Sequence, residues 1–421
     1  MFLFLIEVFL LGCAIAFLFR EKLSDSVLSF MAILLGLFAF FANVILLAIL
    51  GIKISVPVLA VLMGVEMAAL FLVKGLRQPQ VFRLKKTLLW YLGAGIFFIV
   101  GSWFFINKGF VFASPDSLYM VIMGRGILET GLSEWYFSSP LQWGMFVPVL
   151  QTIGMLFGQE YAWFIQPVLS LTFLVLFGIL IYKASRSLTR QKTLPAFLTV
   201  ASLGILLSSN MFWVAQFYVH NNLDTGIFLF IVVASLYFAI REQKTAWLGI
   251  TAIFMILLGM ARTENVILAA IVILLAVATR KIPQRQLLST FLPFLITQII
   301  WNLTVIRLDP VAFGNLMSVS QLKLVTLALA ALTGFLVLAG NSWIKKRIVP
   351  LINPLLWIGV GLLLVLVFVL EPANRFLDLW DNLRAMFVTG KWLASFWGVG
   401  FLLLLVRADK ERLESHFTKF F

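Results

Sequence analysis

Apolar runs long enough to cross a lipid bilayer recur from one end of this chain to the other, and no other feature constrains its fold more. A helix needs roughly 20 residues to span the hydrocarbon core, and in lipid every backbone polar group must be satisfied within its own element. With 62% hydrophobic and 12% charged residues and a mean hydropathy of +1.05, the sequence reads as an all-α, polytopic membrane protein. A membrane β-barrel would alternate polar and apolar positions, and these runs do not. About thirteen spans are expected, near 2–19, 27–49, 56–73, 87–106, 161–182, 194–210, 225–240, 246–261, 264–279, 287–304, 322–343, 350–370 and 389–406.

The net charge of +14 would suggest nucleic acid in a soluble protein, but here it sorts by loop. If the segment 113–145 lies outside, 23 of the 32 Lys and Arg fall in inside segments, as cytoplasmic loops require. No nucleic-acid partner is expected. The count sets the N-terminus outside and the C-terminus in the cytoplasm, in a cell membrane. Because the positive charges follow the first apolar run, that run reads as a retained helix and not a signal peptide. Ten of the 18 acids land on the outer face, where bases are few. Acids contribute little to topology, so their enrichment there needs another reason, and a site on that face is one.

The outer loop spans roughly 107–160. Its apolar part, PLQWGMFVPVLQTIGMLFG (140–158), is broken by Pro148 and Gly154 and reads as interfacial helices lying on the membrane. The preceding SPDS opens a helix, with Ser114 as N-cap and Pro115 at its first position, and Gly131 ends it. Asp116 has two readings: a complement to the helix dipole, or a carboxylate held ionised by that dipole for chemistry. A second cluster, His220, Asn221, Asn222 and Asp224, follows the aromatics Phe212, Trp213, Phe217 and Tyr218. Asp224 is either the N-cap of the next span or, with the amides and aromatics, part of a sugar site. A third, Arg262 and Glu264 in MARTEN (260–265), is pinned between apolar helices. Charges there pair with one another, or Arg262 takes a lipid phosphate on its planar fork. The 371–388 segment reads as an interfacial helix, Glu7 and Glu66 as interhelical hydrogen-bonding groups, and Asn302-Leu303-Thr304 as a chance sequon. No Walker A or HExxH motif is present.

In order, PDSLYM (115–120), ETG (129–131), SPLQWG (139–144), NNLDTG (221–226) and ARTEN (261–265) resemble the motifs of the GT-C glycosyltransferases. Position 117 is Ser where members often carry a second acid, and three spans, not one, precede the span that leads into the loop. The resemblance covers about 87–310, between an N-terminal three-helix unit (1–86) and C-terminal helices (311–421). It implies a polyprenyl-phosphate-linked sugar donor and a lipid, glycan or protein acceptor, beside the membrane lipids. It also implies Asp116 as base, Arg262 on the donor phosphate, and Tyr119, His220, Asn221, Asn222, Asp224 and Glu264 around the substrate. A divalent cation, Mg or Mn, would fall to Asp116 and Asp224. The competing class is a flippase for lipid-linked saccharides or another secondary transporter, whose signature is ionisable residues along mid-membrane helices.

Overall fold

A computed structural model describes residues 1–20, 23–75, 84–106, 115–132, 141–162, 164–188, 193–209, 221–308 and 317–352, with scattered positions at 212–215 and 354–359. Among these residues every regular element is helical. The order is α1 (Phe2–Phe17), α2 (Asp25–Ile49), α3 (Val56–Gly75), α4 (Leu84–Ile106), α5 (Pro115–Thr130), a 3-10 turn (Leu141–Trp143) and α6 (Phe146–Met155). Then follow α7 (Ile165–Leu188), α8 (Leu194–Leu207), α9 (Asn221–Glu242), α10 (Thr245–Ala261) and α11 (Asn265–Ala278). The described helices close with α12 (Gln284–Leu308), α13 (Val319–Leu338) and α14 (Ser342–Arg347).

Six helices are long and apolar enough to cross a membrane, and the chain is a multi-pass membrane protein by that length and composition. They are 25–49, 87–106, 165–187, 222–242, 284–308 and 319–338, and six further apolar helices are shorter. Each of the first eleven expected spans coincides with a helix, whereas the 371–388 segment and the last expected span lie outside the described residues.

The helices pack through small residues and a few polar cross-links. A Cβ on Gly12 would meet the Ala32 carbonyl oxygen at 1.9 Å, and one on Gly36 would meet that of Val8 at 2.2 Å. Close backbone approach of this kind maximises dispersion contact where lipid offers no hydrophobic drive between helices. Asn43 Nδ2 donates to Glu66 Oε2 at 2.9 Å, so Glu66 is the interhelical hydrogen-bonding group expected of it. Glu7 makes no such bond among the described residues. Gln298 donates to Asn302 (3.0 Å) and Asn302 to Thr326 (3.2 Å), joining α12 to α13. Asn302 is fully buried in that network, as fits a chance sequon.

One expectation is overturned. The 140–158 stretch does not float on a membrane surface as an interfacial helix. Every residue of α6 from Phe146 to Gly154 is buried, so the helix has no free face. It packs against α5, where a Cβ on Gly124 would come within 2.6 Å of the Pro148 carbonyl oxygen. Ten residues rise only about 15 Å, too short to span, so the helix is an internal plug. Hydropathy scores burial in lipid and burial in protein alike, which is why the sequence could not separate them.

Candidate functional site

Alternating helix direction brings distant segments to one end of the bundle. There α10 stops at Ala261 and the chain turns through Arg262, whose backbone is extended, into α11. Arg262 Nε lies 2.6 Å from Glu264 Oε1, and Arg262 Nη1 donates to Asn222 Oδ1 at 2.6 Å. The expected ion pair is therefore present. The guanidinium also reaches the first turn of α9, and Nη2 makes no hydrogen bond among the described residues. Asn265 adds a second staple, donating through Nδ2 to Thr225 Oγ1 and to the Leu258 carbonyl, both at 2.9 Å. Asn222 and Thr225 are three residues apart and so share one face of α9.

The 141–145 strap is tied to the same turn by its backbone. Met145 N–H donates to the Met260 carbonyl at 2.9 Å, and Thr263 N–H to the Gln142 carbonyl at 3.2 Å. Gly144 sits at φ +91°, and a Cβ there would stand 1.9 Å from the Ala261 carbonyl oxygen. Only glycine allows both the dihedral and the approach. The Gln142 amide clasps the Met317 backbone in both directions at 2.8 Å. Trp143 meets Tyr119 of α5 edge-on, with ring centroids 5.2 Å apart. The loop and the ARTEN turn thus form one unit.

Asp224 goes elsewhere. Since α9 starts at Asn221, Asp224 is not its N-cap but lies inside its first turn. Two residues along a helix is a rotation of about 200°, so Asp224 faces away from Arg262's partner Asn222 and toward α7. It is fully buried there, accepting from Gln166 Nε2 at 2.9 Å on Oδ2, while Oδ1 has no hydrogen-bond partner among the described residues. The carboxylate expected at the outer rim is an internal link between α7 and α9 instead.

The remaining expected residues divide in two. The backbone of α5 places Asp116 in its first turn, as SPDS predicted, and Gly131 at φ +65° follows its last residue. Asn221 opens α9, while His220 lies outside the described residues. No group of three or more His, Cys, Asp or Glu side chains gathers among the described residues. Asp224 is moreover engaged by an N–H donor and not by another carboxylate. No step is assigned to a divalent cation. Burial, with the Glu160 carboxylate beside it, pushes the Tyr161 phenol up to about 12, so Tyr161 stays neutral at physiological pH.

Sequence reasoning missed Gln142, Gln166 and Asn265 as individual residues. The signal available was an amide within an otherwise apolar stretch, where a side chain that must satisfy itself inside protein finds a partner. No family model, no curated protein and no solved structure matches the chain.

Proposed function

We propose that this chain is an integral-membrane glycosyltransferase of GT-C type, moving a sugar from a polyprenyl-phosphate donor to a lipid, glycan or protein acceptor on the outer face. The observation that carries the reading is the joining of three separated segments, SPLQWG, NNLDTG and ARTEN, around one arginine whose Nη2 remains open among the described residues. A planar guanidinium fixed on two sides is suited to a phosphate, because its remaining donors are already oriented.

In this reading the acceptor hydroxyl attacks the anomeric carbon and its proton passes to Asp116. The new bond joins the acceptor oxygen to the sugar. The bond from the anomeric carbon to phosphate oxygen breaks, and its electron pair leaves on the polyprenyl phosphate. Arg262 stabilises the charge that develops there. The leaving group is already a stable anion, so a single base suffices and the general acid of a glycosidase is not needed. The donor bond supplies the energy, in keeping with a sequence that holds no Walker A motif.

The test is transfer in liposomes holding the full chain, a panel of polyprenyl-phosphate-linked sugars and a membrane acceptor extract. Asp116→Asn is expected to lower turnover by about a thousandfold while leaving insertion intact. Turnover at the level of the unsubstituted protein removes Asp116 as base. Movement of the donor between leaflets without transfer makes the protein a flippase.

A further inference from the structure

We infer that Glu264 tunes how Arg262 holds each charge state of lipid phosphate, weakening a phosphomonoester dianion more than a phosphodiester monoanion. This rests on the reading that Arg262 meets the donor phosphate.

Two of the arginine's N–H donors are occupied. Glu264 Oε1 takes Nε and Asn222 Oδ1 takes Nη1, both at 2.6 Å. The donors that remain are both N–H groups of Nη2 and the second of Nη1, so a phosphate enters on that edge, next to a carboxylate that already neutralises the guanidinium. Glu264 is not a loosely tethered surface acid. It stands at the N-cap position of α11, without a side-chain capping bond, in a turn fixed on one side by Thr263 N–H to the Gln142 carbonyl and on the other by Asn265 to Thr225. Its Oε2 is buried and has no hydrogen-bond partner among the described residues, although the side chain as a whole is 37% exposed. An unpaired buried carboxylate oxygen carries charge that local dipoles do not absorb.

Repulsion from that oxygen scales with the charge of the ligand, as does the pull of the guanidinium, so Glu264 offsets more of that pull on a dianion than on a monoanion. A diester carries one negative charge. A monoester, with its second pKa near 6, carries close to two above neutral pH. The donor, sugar–phosphate–polyprenyl, is a diester, and transfer converts it to the monoester as the sugar–oxygen bond breaks. Glu264 thus opposes the product more than the donor and hastens its departure. Asn222, being neutral, holds the guanidinium without adding to this discrimination. Glu264 is a specificity-determining residue that acts through charge and does not touch the reacting atoms.

The experiment is direct binding of dodecyl phosphate and dodecyl methyl phosphate to the full chain in neutral detergent, at about pH 7.5 so that the monoester is doubly charged. The ratio of the two affinities in the unsubstituted protein is the reference. Glu264→Gln should tighten the monoester about tenfold and the diester less than about threefold. Glu264→Asp, which keeps the charge, should retain the reference ratio. Equal shifts for the two ligands, or none, overturn the inference. Raising the salt concentration should narrow the difference in ratio between the unsubstituted protein and Glu264→Gln, and a salt-insensitive difference also overturns it. Arg262→Ala separates the two levels. If it leaves both ligands bound as before, the phosphate reading falls and this inference with it. If it abolishes both while Glu264→Gln changes nothing, only the inference falls.

Discussion

The two ends of the α9–α10 helix pair each carry a cation beside a carboxylate, and they are finished differently. At one end Lys183 Nζ of α7 sits 2.8 Å from Glu242 Oε1, while Trp247 Nε1 donates to Oε2 at 3.1 Å and Lys244 Nζ approaches it at 3.4 Å. The lysine lies over the rings of Phe238 and Trp247, at 4.7 and 4.6 Å from their centroids. Both carboxylate oxygens are engaged and the cation is covered by aromatic faces. At the other end Arg262 and Glu264 pair at 2.6 Å, yet among the described residues Glu264 Oε2 is left without a partner. Nη2 of Arg262 is open among the described residues. A saturated cluster holds helices together, whereas an unsaturated one has capacity left for a ligand. The contrast is clearer than the charges alone, which are the same kind at both ends.

Three substitutions test the difference between the two ends. The largest effect is expected from Gly144→Ala, which forces a β-carbon against the Ala261 carbonyl at a dihedral that alanine rarely adopts. Strain and overpacking together cost about 3 kcal/mol or more, seen as a lowered unfolding temperature of the solubilised chain. An unchanged midpoint would mean that the strap is not fixed to the turn. Next comes Arg262→Ala, expected to weaken donor binding and lower turnover by about a hundredfold, with little change in acceptor dependence. A titration of both substrates checks the split, and an unchanged donor dependence removes the phosphate role. The smallest is Lys183→Met, which leaves Glu242 with Trp247 and Lys244 and keeps an apolar stem over the rings. It should cost about 1–2 kcal/mol in thermal unfolding and leave donor binding unchanged. Loss of donor binding in that variant would erase the distinction between the two ends.

Much of the architecture was legible because it follows from local rules. The start of α5 at Pro115 and its stop at Gly131 came from capping chemistry, and the apolar runs from the length a bilayer demands. The Arg262–Glu264 pair was readable because two opposite charges enclosed by apolar helices have few other places to go. The plug α6 was not readable, since an apolar helix with Pro148 and Gly154 suits a membrane surface and a protein interior equally well. What decided it was the close approach of Gly124 to Pro148 and of Gly154 to Tyr161. Asp224 was misplaced for a related reason. Its neighbours in sequence, Asn222 and Thr225, do face the turn, and only helical rotation against α7 carries it to Gln166.

By itself, then, the sequence determined that the chain is helical, that it is built for lipid, and which polar segments interrupt its apolar runs. These depend on composition, spacing and the cost of bare backbone in hydrocarbon. Only the tertiary structure decided which interruptions meet. It tied SPLQWG to ARTEN through backbone hydrogen bonds, set Asn222 against Arg262 and turned Asp224 inward. Such pairings arise from helix rotation and close backbone contact between residues far apart in the chain, and a one-dimensional pattern of polar and apolar residues does not encode them.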